Sequence, residues 1–257
     1  MSNLKLALLQ TTLAWHDREA NLDHFESLLE QARGADLVVL PEMFTTGFTM
    51  ASEDFAEPEE GPTTQWLRAQ AQGLDAVVTG SAIIRVVDGS YRNRLLWAQP
   101  NGQVLHYDKR HLFRMAGEHK HYTAGEQQTR FTLKGWNIRP MVCYDLRFPV
   151  WSRDAHATDL ILYTANWPGA RRLHWNRLLP ARAIENLCYV AAVNRIGTDG
   201  NGSAYTGDSQ VLDFQGERLL SAGEADGVFR VTLEAAPLAA YRDRFPAHLD
   251  ADSFHIL

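Results

Sequence analysis

Cysteine is scarce in this chain, with 2 residues in 257, at positions 143 and 188. Neither belongs to a CxxC pair or to the Cys/His spacing of a zinc ligand set, which argues against a disulfide framework and against a structural zinc site. Excess positive charge is missing too. The formal net charge is −6 and the sequence pI about 5.9, so no global field exists to neutralise phosphates or to hold the protein on an anionic membrane surface. The one basic cluster, DKRHLFR from Asp108 to Arg114, is short and contains an acid. Nucleic acid is not expected as a partner. Long apolar runs are absent: the opening MSNLKLALLQ is broken by Lys5, too short for a signal-peptide core, and nothing downstream approaches the ~20 apolar residues of a membrane span. A cytoplasmic protein without membrane contact is expected.

What the chain does have is an ordinary globular balance, 45% apolar and 22% charged residues, and enough length to bury one sizeable core. LKLALLQ reads as a buried strand. EANLDHFESLLEQARG places Leu22, Phe25, Leu28, Leu29 and Ala32 on one helical face before a glycine stop, and DLVVL forms the next strand, ending at Pro41. This strand, helix, strand order calls for a crossover helix between parallel strands. PTTQWLRAQAQG and AVVTGSAIIRVV repeat the unit. The turn signals Asp88-Gly89 and Asn101-Gly102 then join antiparallel strands, so the sheet is mixed. NIRPMVC, DLILYTA and CYVAAVN are strand-like, with helical PVWSRDAHA and RRLHWNRLLPARAIENL between them. Pro180 is expected to kink or break the second of these helices. SQVLDFQGERLLSAG reads as a hairpin, GVFRVTLE as a strand and PLAAYRDRF as a last short helix. No repeat or linker divides the pattern, which predicts one α/β domain over residues 1–257.

In such folds chemistry collects beyond the carboxyl ends of strands. Glu42 follows DLVVLP, Lys109 follows QVLHYD, Cys143 closes NIRPMV, and Asn166 and Trp167 follow DLILYTA. Taken singly, a cysteine at a strand end reads as an inert small hydrophobe, a lysine as a solvated charge and a glutamate as a loop cap. Taken together, a thiol to attack, a carboxylate to take its proton and a cation to stabilise an oxyanion make a chemically complete set.

The segments LVVLPEMF, YDKRHLF and CYDLRFP around these three residues resemble the nitrilase, or carbon-nitrogen hydrolase, superfamily, and the resemblance continues through ILYTANWP, RAIENLCYVAAVNRIG and GDSQVLDFQGE. Within it, YDKRHLFRMAGEHKHYTAG and CYDLRFPVWSR look most like the omega-amidases, which hydrolyse the terminal amide of short dicarboxylic keto acid monoamides. The resemblance implies a four-layer α-β-β-α sandwich, a homodimer paired through the helical layer, and a Glu-Lys-Cys triad on Glu42, Lys109 and Cys143. It also implies a second glutamate after the lysine, which falls on Glu118 by its spacing to Gly125. No metal or organic cofactor is implied. The expected reaction runs through a thioester acyl-enzyme, with the N–H of Tyr144 beside the oxyanion. Arg147 is the candidate for a substrate carboxylate, a fork with Asp145 being the alternative, and Phe44 and Trp167 are candidate pocket walls. A carbamoylase, a nitrilase or a catalytically silent interaction scaffold remain as other readings.

Other clusters invite other readings. His106, His111, His119 and His121 crowd one region, but without the HExxH spacing of a metal site they read as loop histidines. Cys188, inside an apolar strand, reads as buried and inert. The aromatics of WNIRPMVCYD and LHWNRLLP read as core rather than as a stacking surface for bases or sugars.

Overall fold

This computed structural model describes residues 1–154, 158–252, 254 and 256. The first half of the chain builds one sheet from β1 (Leu4–Gln10), β2 (Leu37–Val39), β3 (Glu57–Pro58), β4 (Val77–Arg85), β5 (Tyr91–Ala98) and β6 (Val104–Asp108). The second half builds another from β7 (Phe131–Leu133), β8 (Trp136–Val142), β9 (Leu160–Thr164), β10 (Tyr189–Val193), β13 (Gln210–Leu212) and β14 (Arg218–Ser221), with the small hairpin β11 (Ile196–Thr198) and β12 (Ala204–Thr206) between. The last strand, β15 (Gly227–Leu233), crosses back and pairs antiparallel with β1 along its whole length, from Leu4 opposite Leu233 to Gln10 opposite Gly227. Strand order is β15-β1-β2-β4-β5-β6 in the first sheet and β14-β13-β10-β9-β8-β7 in the second. The neighbours β1, β2 and β4 run parallel, as do β8, β9 and β10.

The period-two patterning explains why the sheets lie face to face. Leu4, Leu6 and Leu8 of β1, Leu37 and Val39 of β2, and Leu95 and Trp97 of β5 point into a core shared with Ile138, Leu160 and Leu162 of the second sheet. The alternate residues Ala7, Leu9, Val38, Leu96 and Ala98 point the other way, onto a second core. There α1 (Arg18–Leu29) and α3 (Pro62–Leu74) cover them with Phe25, Leu29, Leu67 and Ala71. The indole of Trp97 stacks on Phe131 across the two sheets at 4.7 Å. Outside the second sheet, α5 (Arg172–Asn186) buries Trp175, Leu179 and Ala183. The order is therefore helix, sheet, sheet, helix, with the short α2 (Ser52–Phe55) and α4 (Pro149–Ser152) in loops and α6 (Ala235–Arg244) following β15.

Most elements fall where the pattern puts them, with three differences. Helix α1 stops at Leu29 and a 3₁₀ turn carries Glu30–Ala32, so Phe25, Leu29 and Ala32 are buried while Leu22 and Leu28 lie at the margin. Pro180 does not break α5, which is one helix from Arg172 to Asn186; burial of Leu179 and Ala183 on either side of it holds the turn in place. The helix read from PVWSRDAHA is only Pro149–Ser152, because Arg153 is extended, and residues 155–157 lie outside the described residues. Among the described residues no helix is long and apolar enough to cross a membrane.

Candidate active site

Glu42, Lys109, Cys143 and Asn166 follow the carboxyl ends of β2, β6, β8 and β9, and the facing of the sheets brings these ends together. Lys109 is 1% exposed. Its Nζ lies 2.9 Å from Glu42 Oε1, 2.9 Å from Glu118 Oε1 and 3.0 Å from Glu118 Oε2. An ammonium has three N–H donors, and three carboxylate oxygens stand within 3.0 Å of them, so a further group is bound only as the two-oxygen contact with Glu118 narrows to one. The Cys143 thiol, 8% exposed, is the part of the cluster that meets the cavity above it together with the lysine. Cys143 has φ +44° and Met43, next to Glu42, has φ +41°. Left-handed backbone is costly for side chains of this size, and strain of this kind concentrates at functional sites.

Two sets of contacts hold the carboxylates. Asn93 on β5 donates to Glu42 Oε1 at 2.8 Å and is itself oriented by Ser81 of β4, whose Oγ donates to Asn93 Oδ1 at 2.8 Å. The N–H of Asn166 donates to Glu42 Oε2 at 2.8 Å. Glu118 starts a short 3₁₀ turn and accepts the Phe113 N–H as well as the lysine, which ties the 113–118 loop to the site. Gly125 earns its place by packing: a Cβ there would collide with the Asp108 carbonyl beside Lys109.

The electrostatics follow from crowding. Burial would push the Lys109 ammonium down, but the Glu118 and Glu42 carboxylates more than offset that and hold its pKa above the ordinary value. Burial, reinforced by the negative charge of Glu42 and opposed by Lys109, raises Glu118. The Cys143 thiol is pushed well up by burial first and then by the charge and hydrogen bond of Glu42, against the pull of Lys109. A cluster with two carboxylates and one ammonium resists another negative charge, so the thiol rests protonated.

A further carboxylate sets the relation between thiol and lysine. Asp145, fully buried, accepts from Tyr107 Oη at 2.7 Å and the Val142 N–H at 3.0 Å on one oxygen, and from the His111 N–H at 2.9 Å and His111 Nδ1 at 2.8 Å on the other. Tyr107 and His111 stand two residues before and after Lys109, while Val142 precedes Cys143. Asp145 therefore clamps the Cys143 turn to the Lys109 loop. Its four acceptor positions are occupied, and it is not forked to Arg147.

The cavity over the thiol has a volume of about 570 Å³. Cys143, Lys109, Tyr144, Arg147 and Trp167 line it, with Trp15, Phe48 and Phe113 as apolar wall. The 199–205 loop of the β11–β12 hairpin, shaped by Asp199 accepting the N–H groups of Asn201 and Ser203 and the Tyr205 hydroxyl, closes one side. Phe44 is not part of this wall, contrary to the expectation for it. It is fully buried on the outer side of the first sheet, edge-on to Phe25 at 5.5 Å and beside Trp66, because the backbone after Glu42 turns its side chain to the helical layer. Phe48, four residues on, faces the cavity instead.

Among the described residues no three His, Cys, Asp or Glu side chains are arranged to hold a metal. His111 is engaged with Asp145. Cys188 is fully buried and its thiol is pushed up to about 12 by burial.

A thiol, a carboxylate and a lysine packed together at the mouth of a four-layer α-β-β-α sandwich make up the set of groups that hydrolysis by attack through sulfur requires. The chain belongs to the carbon-nitrogen hydrolase family, whose model matches residues 5–243. It is 52% identical over 258 residues to the omega-amidase YafV of Yersinia enterocolitica, covering 100% of both chains. It is 34% identical to the 2-oxoglutaramate amidase of Bacillus subtilis, covering 95% of this chain and 96% of that one. A solved structure of XC1258 from Xanthomonas campestris, a CN-hydrolase superfamily protein with an arsenic adduct in its active site, shares 49% identity, superposes with a TM-score of 0.97 and covers 100% of both chains.

Proposed function

We propose that this enzyme is an omega-amidase, cleaving the terminal amide of short dicarboxylic and 2-keto dicarboxylic acid monoamides to the acid and ammonia. The observation that carries the reading is the buried Glu42-Lys109-Cys143 cluster opening into a cavity that also holds Arg147, a cation with no carboxylate partner among the described residues. The full-length likeness to enzymes named omega-amidase and 2-oxoglutaramate amidase supports the substrate class.

The mechanism follows from the geometry. Cys143 Sγ attacks the amide carbon as its proton passes to Glu42, so the pair's total charge does not change while the bond forms. The oxyanion takes the Lys109 N–H that is released as the Glu118 contact narrows to one oxygen, together with the N–H of Tyr144, which lies in the first turn of the 3₁₀ helix that begins at Cys143, where intrahelical acceptors run out. Collapse of the tetrahedral intermediate breaks the C–N bond, and Glu42 returns the proton to the departing ammonia. Glu42 then takes a proton from the water that attacks the thioester, and the thiol is restored as the acid leaves. Glu118 holds the lysine in place and offsets its charge. Arg147 receives the substrate carboxylate, with Trp167 as a wall beside it.

The decisive measurement is ammonia release from omega-amides of increasing chain length, with a nitrile and a ureido acid alongside. Cys143→Ala is expected to abolish ammonia release from every amide that the native enzyme cleaves; retained activity would remove Cys143 as nucleophile. A nitrile or ureido acid turned over faster than any omega-amide would move the enzyme to another branch of the family. We also assign the protein to the cytoplasm, in keeping with two free thiols. A homodimer through the helical layer is supported by the outer face of α5, where Ile184 is 54% exposed beside Pro180 and Ala181.

A further inference from the structure

Arg147 ends the short helix that begins at Cys143, and its guanidinium is held on three sides. Its Cζ lies 5.0 Å from the centre of the Trp167 ring and 5.9 Å from that of Tyr144. Its Nη2 lies 2.8 Å from Nδ1 of His174, in the first turn of α5. Among the described residues His174 is its one hydrogen-bond partner.

The chemistry of this contact is unusual for an arginine. A guanidinium only donates, so Nδ1 of His174 must offer a lone pair, which makes the imidazole neutral with its proton on Nε2. A carboxylate in that place would have fixed the arginine and cancelled its charge. A neutral imidazole fixes it and leaves the charge intact. With one of five N–H donors committed to His174, the guanidinium keeps an edge for bidentate recognition of a carboxylate in the cavity that it lines. An arginine on a flexible stem loses side-chain freedom when it binds, and prior anchoring reduces that cost.

We propose that His174 is a positioning residue for specificity: from α5 it aims Arg147 into the cavity without neutralising it, and so favours amides whose far end carries a carboxylate over neutral amides of the same length. The proposal rests on the reading of Arg147 as the carboxylate ligand. Its effect belongs to ground-state binding of the distant end of the substrate, so it appears in KM rather than in kcat.

The test uses the monoamide of glutaric acid and pentanamide as the two substrates, with kcat and KM measured separately for each. His174→Leu removes the lone pair and is expected to raise KM for the glutaric monoamide roughly tenfold, the value of about one charge-assisted hydrogen bond, with kcat within about twofold. The preference for the glutaric monoamide over pentanamide falls by the same factor. His174→Gln, which offers an acceptor again, is expected to recover most of that preference. An equal loss on both substrates, a loss in kcat rather than KM, or no recovery by glutamine would overturn the proposal. Arg147→Ala separates the two levels. If it leaves the preference for the charged amide intact, the carboxylate reading of Arg147 falls and the His174 proposal with it. If it lowers the preference and His174→Leu does not, only the role of His174 is refuted.

Discussion

The thiol of Cys143 holds its proton, and this decides how the enzyme responds to pH. Burial and the neighbouring Glu42 raise its pKa, with Lys109 only partly opposing them. In many cysteine enzymes a standing thiolate is the attacking species, and activity appears as the thiol ionises. In the mechanism proposed above, the thiol and carboxylate share one proton, and that proton is needed again when ammonia departs. Losing it to solvent therefore stops the reaction. Since the folded protein disfavours the thiolate, loss occurs above the ordinary thiol value of about 8.5. The descending alkaline limb of kcat/KM on an omega-amide, followed from pH 6 to 10, is expected above that value; a limb centred below pH 8 would show that the thiolate is preformed. Residues of this kind were legible because their motifs stand at strand ends, as in LPEMF, YDKRHLF and CYDLRFP. Phe44 was not, since a phenylalanine after a strand packs equally well on either side of a sheet, and the left-handed turn at Met43 that sends it outward leaves no composition signal. Asn93 could have been found: it falls in phase with Leu95 and Trp97 on the inward face of β5, and a polar residue in that phase needs a buried partner.

At the scale of elements, the site depends on joining loops that start from different sheets. Lys109 leaves β6 of the first sheet and Cys143 leaves β8 of the second, and Asp145 ties the two by four hydrogen bonds. Both of its oxygens face two donors, so an asparagine in either orientation would turn an NH₂ group toward a pair of N–H or O–H groups. Asp145→Asn is therefore expected to cost about 2–4 kcal/mol of stability, through buried donors left unpaired. It is also expected to lower kcat by roughly tenfold to a hundredfold, as the lysine and thiol lose their register. Denaturant midpoint and kcat measured on the same preparation check this, and a destabilised variant with native kcat would reduce Asp145 to a purely structural group. Sequence reading placed Asp145 only as an alternative partner for Arg147, because a carboxylate two residues from an arginine suggests a local fork. The donors that claim it, Tyr107 and His111, lie more than thirty residues away in the chain, a separation that periodicity does not bridge.

At the scale of the whole molecule, the two sheets cannot fold as separate units. Their inward faces form a single core in which Leu8, Leu37 and Trp97 meet Ile138, Leu160 and Leu162, and β15 returns from the second half of the chain to complete the first sheet at β1. The sequence showed the alternating strands and helices, but a pattern of this sort fits one sheet or two; the resemblance carried the sandwich, and the crossing of β15 to β1 is a long-range pairing that no local signal encodes. The consequence is cooperative. Thermal or denaturant unfolding at low protein concentration is expected as one transition, with the peptide signal and the tryptophan signal coincident, because Trp97 and Trp136 sit in the shared core. Leu8→Ala, which opens a cavity on the inward face of the strand that β15 must reach, is expected to destabilise by about 2–5 kcal/mol and to shift both signals together. Separated transitions, with the tryptophan signal moving and the peptide signal unchanged, would mean that the sheets hold their structure independently and that the site between their strand ends can come apart before the fold does.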